Sequence, residues 1–324
     1  MAAPTTGFVS LFGLDPATYV PHPIHAGAHV YGETNCYADV LIELLHARGD
    51  EPLAVLGSVL RMDFEGDQWT FFKPAPEDLE LLLGIDVHEM QPYRPLPDQI
   101  AEQLAVGRTL IVELDSFHLP DTASTSYGTE HVKSSVAAEA IDVCGQRLRY
   151  FHNGGLHELA GEDFREVFRL GRSFSPDILP PYTELVRFDR GSRLTGGALR
   201  EGARERVRHH LGARPAANPF PGFGAQLEEQ LPLLLEGDAA GYHAYAFATV
   251  RMVGAGFEVA ASLTDWLLGS REAQAAAAFR RIVDEAKVLS FKLARRRAFD
   301  VQPTIAALGS AWDEATTRLD DALG

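Results

Sequence analysis

The sequence predicts an α+β domain followed by an α-helical bundle, and three observations carry that prediction. Up to about residue 190, short β-like runs alternate with short helices and Pro/Gly turns. After Gly196 alanine, leucine, arginine and glutamate dominate and β-branched runs are few. The 324 residues, 46% of them hydrophobic, suffice for two cores at about 100–200 residues per domain. The expected domains are 1–190 and 191–324.

The first helix is expected from about Asn35 to Gly49. Tyr37, Val40, Leu41, Leu44 and Leu45 recur at helical spacing, Asp39 and Glu43 occupy the early turns, and Arg48-Gly49 supplies a basic last turn and a glycine stop. Thr34 or Asn35 would cap it. Strands are expected over Leu53–Leu60, Trp69–Phe72, Ile85–Val87, Thr109–Leu114, Val132–Ile141, Leu148–His152 and Thr183–Phe188. Between them, Pro76–Leu83, Pro97–Ala105 and Asp163–Leu170 open on a proline or an acid and read as helices. The second half reads as helices over Ala198–Leu211, Gly224–Leu235, Ala239–Leu268, Arg271–Arg297 and Ile305–Leu323. Their breaks are Asn218-Pro219-Phe220-Pro221 and Gly269-Ser270. There is no internal repeat.

Composition excludes several classes. The net charge of -16 argues against nucleic acid, which needs a positive surface. No apolar run reads as a membrane span of about 18–20 residues. Met1-Ala2-Ala3-Pro4-Thr5-Thr6 lacks the basic start of a signal peptide, so the cytoplasm is the expected compartment. Two cysteines, Cys36 and Cys144, are too few for a disulfide framework or a cysteine-based metal site.

Cys36 is the residue with chemical promise. A thiol in the first turn of a helix meets unpaired backbone N–H groups and the positive end of the helix dipole, both of which favour a thiolate. A nucleophilic thiol also needs an imidazole to hold or move its proton and a group to fix the ring's tautomer. His131 opens the run 131–142, which turns at Cys144-Gly145 into Arg147–His152 and ends at Asn153-Gly154-Gly155. In a hairpin the first residue of one strand lies beside the last of the other, which makes His131 and Asn153 expected neighbours. The catalytic set is therefore Cys36, His131 and Asn153.

The order of a cysteine opening a helix, a histidine starting a strand and an asparagine ending the next is similar to the papain-like fold. The surroundings of Asn35-Cys36, the stretch 115–120 (Asp-Ser-Phe-His-Leu-Pro), and His131 with a strand ending Ile141-Asp142 resemble the butirosin-biosynthesis cysteine acyltransferases. The whole chain, with Tyr150-Phe151-His152-Asn153-Gly154-Gly155 and its helical second half, resembles a bacterial domain-of-unknown-function family found beside carrier proteins and amino acid:carrier-protein ligases. The resemblance implies a papain-like N-terminal domain and an acyltransferase. It would move an aminoacyl or related acyl group from a phosphopantetheinyl carrier-protein thioester, through Cys36, to an amine or other nucleophile. No cofactor is implied beyond the phosphopantetheine that arrives on the carrier protein. The chain lacks the Gln and Gly-Ser-Cys-Trp surroundings of papain-type proteases, which puts peptide hydrolysis and a glutamine oxyanion hole in doubt. Thioesterase, amidase or peptidase activity with the same triad, and a noncatalytic carrier-protein module, are the alternatives.

Other residues complete the reading. Oxyanion stabilisation falls to the Cys36 backbone N–H with a second donor from Asn35, Tyr31 or Thr34. Asp115 ends an apolar strand, where it would bind a substrate ammonium or cap a turn. Asp142 faces the Cys144-Gly145 turn, away from His131. His22, His25 and His29 have a spacing known from zinc sites, but Pro21, Pro23 and Gly27 make this a loop and no acidic or cysteine motif accompanies them, so a substrate contact is expected rather than a metal. Basic residues cluster at 200–214 and 292–297. Arg204, Arg206 and Arg208 are the expected dock for an acidic carrier protein, against a solvated helix face as the simpler account.

Overall fold

The computed structural model describes residues 7–26, 29–171, 179–269 and 273–324. Gly27, Ser270 and Arg271, which the sequence reading used as a loop, a break and a helix start, lie outside them. The described residues form two compact units whose segments interleave along the chain. One takes the described parts of Met1–Pro23, Cys36–Pro52 and Leu79–Arg193; the other takes Ile24–Asn35, Leu53–Asp78 and Leu194–Gly324.

In chain order the elements are β1 (Val9–Ser10), α1 (Cys36–Arg48), α2 (Pro76–Leu83), β2 (Asp86–Glu89), α3 (Leu96–Ala105), β3 (Thr109–Asp115), β4 (Lys133–Asp142), β5 (Arg147–His152), β6 (Gly155–Ala160), α4 (Glu162–Val167), β7 (Thr183–Arg187), α5 (Gly196–Gly212), α6 (Phe220–Glu236), α7 (Ala239–Ala246), α8 (Met252–Leu268), α9 (Ala273–Ala294) and α10 (Gln302–Leu323).

The first unit is built on one seven-stranded sheet in the order β2-β7-β3-β4-β5-β6, with β1 beside the far end of β4. Every pairing is antiparallel. Alternate residues of a strand face opposite sides, and the register Ile111↔Ala137↔Phe151 sets one face of the central strands. Helix α1 lies on β4 and β5. The opposite face carries Val112, Val136, Ala138 and Tyr150, packed with Ile100 and Leu104 of α3 and Phe164 of α4. A register shift between Ala138 and Ala140 bulges β4. Buried Glu139 uses the irregular edge, accepting the Phe12 and Leu14 backbone N–H groups at 3.1 Å each.

The expected strands of this unit form within a residue or two. Strand β6 and the short β1 were not anticipated. Asn153-Gly154-Gly155, where β5 was expected to end and whose Asn-Gly is a turn signal, makes the turn of a second hairpin, with His152 paired to Gly155.

The second unit is helical, with α8 against α9, α9 against α10, and α10 against α5 and α6. Leu53–Leu60, expected as a strand, instead forms two 3-10 turns, Pro52–Val55 and Gly57–Arg61. Its apolar residues are buried on successive positions, and a continuously apolar run does not separate a strand from a buried helical turn. Trp69–Phe72 yields only the bridge Phe64↔Trp69, because Trp69 enters a cluster of rings with Phe220, Phe223 and Phe257. Pro221 lies inside the first turn of α6, where a missing N–H costs nothing, and Asn218 accepts from Phe220 N at 3.0 Å just before it.

Between α7 and α8 the chain runs through a π-turn, Phe247–Arg251, without a break. The resulting stretch 239–268 is long and apolar enough to cross a membrane by length and composition, contrary to the sequence reading, yet 67% of its apolar window is buried within the protein. The buried residues lie in the π-turn and in α8, which packs against α9, whereas α7 buries none of its residues. Glycines permit the close approaches: a Cβ at Gly254 would stand 2.3 Å from the Tyr31 ring.

Candidate functional site

Cys36 is the first residue of α1, and Tyr37 to Leu45 after it are buried. The thiol is half-buried, and Sγ donates to Ser135 Oγ at 3.7 Å. Ser135 is in β4 and is buried. Cross-strand pairing places Glu113 of β3 beside it, and Asp115 beside Lys133. These four residues share the α1 face by parity. Lys133 Nζ donates to Glu113 Oε1 at 2.8 Å on the open side.

One strand further on, Glu184 of β7 pairs with Ile111. It accepts from Tyr37 OH at 2.7 Å and Tyr182 OH at 2.8 Å. Burial, reinforced by the Glu184 carboxylate, holds the Tyr37 phenol well above its ordinary pKa and pushes Tyr182 up to about 12. Both remain hydrogen-bond donors at neutral pH.

His131 meets a carboxylate. Its Nδ1 lies 2.6 Å from Asp115 Oδ2, and its ring stacks on Phe117 with centroids 4.4 Å apart and planes 10° apart. Asp115 Oδ1 accepts from Phe117 N at 3.1 Å, capping the 3-10 turn Ser116–His118. Asp115 thus caps the turn, one of the two roles expected of it, and it also orients the histidine. An Nδ1–H held by a carboxylate leaves Nε2 as the ring's acceptor, the form a general base needs. The imidazole is 70% exposed.

Asn153 is not beside His131, which corrects the hairpin argument. Strand β4 has 10 residues and β5 only 6, so the two arms do not end together. Continuing the register from Ala137↔Phe151 brings Asn153 level with Ser135. Asn153 forms the β5–β6 turn, with a left-handed φ of 47°. Among the described residues, no side-chain hydrogen bond joins Cys36, His131 and Asn153 to one another. His131 precedes Ser135 by four positions, at most about 13 Å of extended chain. Asp142 accepts from Gly145 N at 2.8 Å, as expected of a residue facing that turn.

Tyr31, Thr34 and Asn35 belong to the second unit. Glu258 of α8 accepts from Val30 N at 2.8 Å and Tyr31 N at 2.6 Å, and Asn35 Nδ2 donates to the Phe72 carbonyl at 2.9 Å. Burial raises the Tyr31 phenol pKa. Thr34 and Asn35 are themselves buried. Of the histidines, His22 lies 3.8 Å from Glu51 and His29 3.3 Å from Glu258. Among the described residues no group of three or more His, Cys, Asp or Glu side chains is placed to hold a metal ion.

The arginines of α5 are engaged within the second unit. Arg206 Nε donates to fully buried Asp78, whose other oxygen lies 2.7 Å from His210 Nε2. Arg208 donates to the Leu323 carbonyl at the end of α10 at 2.7 Å. Arg204 lies 3.7 Å from exposed Glu201. Two of the three expected docking residues are thus tied into helix packing, since a helix-long basic stripe also supplies partners for buried acids and carboxyl-terminal carbonyls.

The sequence reading missed a buried cluster on the far face of the sheet. Asp121 accepts from Tyr150 OH and pairs with His152 Nδ1 at 2.5 Å; the Asp121 and His152 side chains are 7% and 1% exposed. Burial opposes ionisation of Asp121, but His152 and Tyr150 together hold its carboxyl below the usual range. Burial and Asp121 raise Tyr150 far above an ordinary phenol. The sequence signal was the alternation of Tyr150 and His152 on one strand face; Asp121 lies in an irregular loop that no periodicity marks.

No curated protein matches the chain. Two family models do: the DUF1839 N-terminal domain over residues 20–188 and the DUF1839 C-terminal domain over residues 197–321. With both models matched along most of its length, the chain belongs to the DUF1839 family.

Proposed function

We propose that the protein is a papain-like cysteine acyltransferase of the butirosin type. In this reading Cys36 takes an aminoacyl or related acyl group from a carrier-protein phosphopantetheine thioester and passes it to an amine or other nucleophile. One observation carries the reading. A half-buried thiol opens a helix on the same sheet face that bears, just before the start of β4, an imidazole oriented by a carboxylate.

The Cys36 thiol passes its proton to His131 Nε2, the thiolate adds to the thioester carbonyl, and the tetrahedral intermediate expels the phosphopantetheine thiolate, which takes that proton from the His131 imidazolium. The acceptor amine then attacks the acyl-Cys36 carbonyl, His131 removes its proton, and the Cys36 thiolate leaves. The backbone N–H of Cys36 at the helix start stabilises the oxyanion. Asp115 takes the orienting role first assigned to Asn153. The reading requires His131 to close on the thiol when the acyl arm lies along β4, as catalytic contacts commonly tighten only in the substrate complex. For an acidic carrier protein, Arg204 is the one of the three expected docking arginines that is paired to an exposed side chain, Glu201.

Intact-mass analysis after mixing with an aminoacylated carrier protein tests this. A mass increment on the wild type that is lost in Cys36→Ala supports transfer through Cys36; an increment that persists in Cys36→Ala refutes the nucleophile. A second reading, a noncatalytic carrier-binding module, is favoured by the thiol's contact with buried Ser135, the kind a structural cysteine makes. It expects carrier binding and no increment.

A further inference from the structure

The residues joining β3 to β4 carry Phe117, on which His131 stacks, and they fold on themselves. Thr122 Oγ1 donates to the Ser116 carbonyl at 3.0 Å, Leu119 N to the same carbonyl at 3.0 Å, and Gly128 N to the Phe117 carbonyl at 3.0 Å. Two side chains then fasten this folded loop elsewhere in the unit. Tyr127 OH donates to Asp163 of α4 at 3.0 Å, at the surface. Asp121 is the one of these two that goes inward, to His152 and Tyr150 of β5, beside Leu119, which is buried in the apolar core on the same face.

The inward fastening has an unusual composition. The His152 Nε2 atom is buried and has no hydrogen-bond partner, so the imidazole's one side-chain hydrogen bond goes to Asp121. A buried ring nitrogen left unpaired is unfavourable, and it persists where the other contact outweighs it. A charged acceptor with two buried donors is such a contact.

We infer that Asp121, His152 and Tyr150 form a buried clasp that fixes the β3–β4 loop and thereby positions Phe117 and the His131–Asp115 pair. They are positioning residues, acting through the loop from the opposite face of the sheet. The catalytic consequence rests on the acyl-transfer reading; the clasp does not.

The test compares His152→Leu, which removes the donor to Asp121, with His152→Asn, which keeps an N–H near the same place. In His152→Leu, amide exchange over residues 117–128 accelerates at least about tenfold, and the His131 ring resonances move to unstacked values. In His152→Asn both stay close to the wild type. A folded His152→Leu with unchanged exchange and unchanged His131 resonances overturns the inference. Should His152→Leu not fold, Tyr150→Phe removes one of the two donors and shows the same changes at smaller size; no change there overturns it equally. In single-turnover transfer, breaking the clasp lowers kcat with KM retained. A wild type that transfers nothing defeats the acyltransferase reading and leaves the exchange result standing.

Discussion

The Cys36 thiol and the Ser135 hydroxyl meet at 3.7 Å, joining the first residue of α1 to the middle of the sheet. Ser135 thereby fixes the thiol's height along β4, level with Glu113 and two positions beyond Lys133. Everything the site does chemically is measured from that contact.

Iodoacetamide labelling distinguishes the two cysteines. Cys144 is exposed and Cys36 half-buried, so access alone favours Cys144. If the helix start activates Cys36, it reacts faster than Cys144 at neutral pH despite its burial. Peptide mapping of a time course reads the order, and equal slow labelling of both sinks the catalytic role.

Asp115→Asn keeps an acceptor for Phe117 N but removes the charge from His131. The expected outcome is a fall in transfer rate of about 10²-fold or more with the fold intact. Asn153→Gly, at a left-handed turn position, leaves the rate within about threefold and changes stability by less than about 1 kcal/mol. The reverse pattern would restore Asn153 as the orienting residue.

Asp78→Ala leaves Arg206 and buried His210 without their shared carboxylate. Denaturant unfolding should show a loss of about 3–5 kcal/mol. Arg204→Ala touches only an exposed pair and should change stability by less than about 0.5 kcal/mol. If Arg204 docks an acidic carrier protein, Arg204→Glu weakens that binding, which calorimetry against the carrier measures.

Acid stability reports on the clasp. Asp121 titrates lower in the folded chain than its ordinary 3.8, so the unfolded chain binds its proton more tightly. Its contribution is therefore fully present above about pH 4–5 and is lost as pH falls through the folded value. Asp121→Asn should flatten the pH dependence of stability below about pH 4, leaving the slope above it unchanged; an unchanged acid limb contradicts the assignment.

Much of this architecture was legible in the chain. Helix α1 was readable because its apolar residues, acidic early turns and terminal glycine agree with one another. Strands β3, β4 and β7 declared themselves by β-branched or small apolar residues, and β5 by its Tyr150 and Phe151, each run lying between turns. Leu53–Leu60 did not, since burial on successive positions erases the periodicity that separates strand from helical turn. The β4–β5 register was equally hidden: the expected strands already differed in length, but a sequence does not give their pairing or the bulge at Ala138 and Ala140.

The sequence by itself determined the α+β half, the helical half and a cysteine at a helix start, because these depend on local spacing and on residues adjacent in the chain. Only the tertiary structure decided that His131 faces Asp115, that Asn153 sits in the β5–β6 turn, and that Asp121 reaches His152 and Tyr150. Those pairings depend on strand register and on how an irregular loop folds back. Both are set by packing between segments distant in the chain, where local periodicity carries no information.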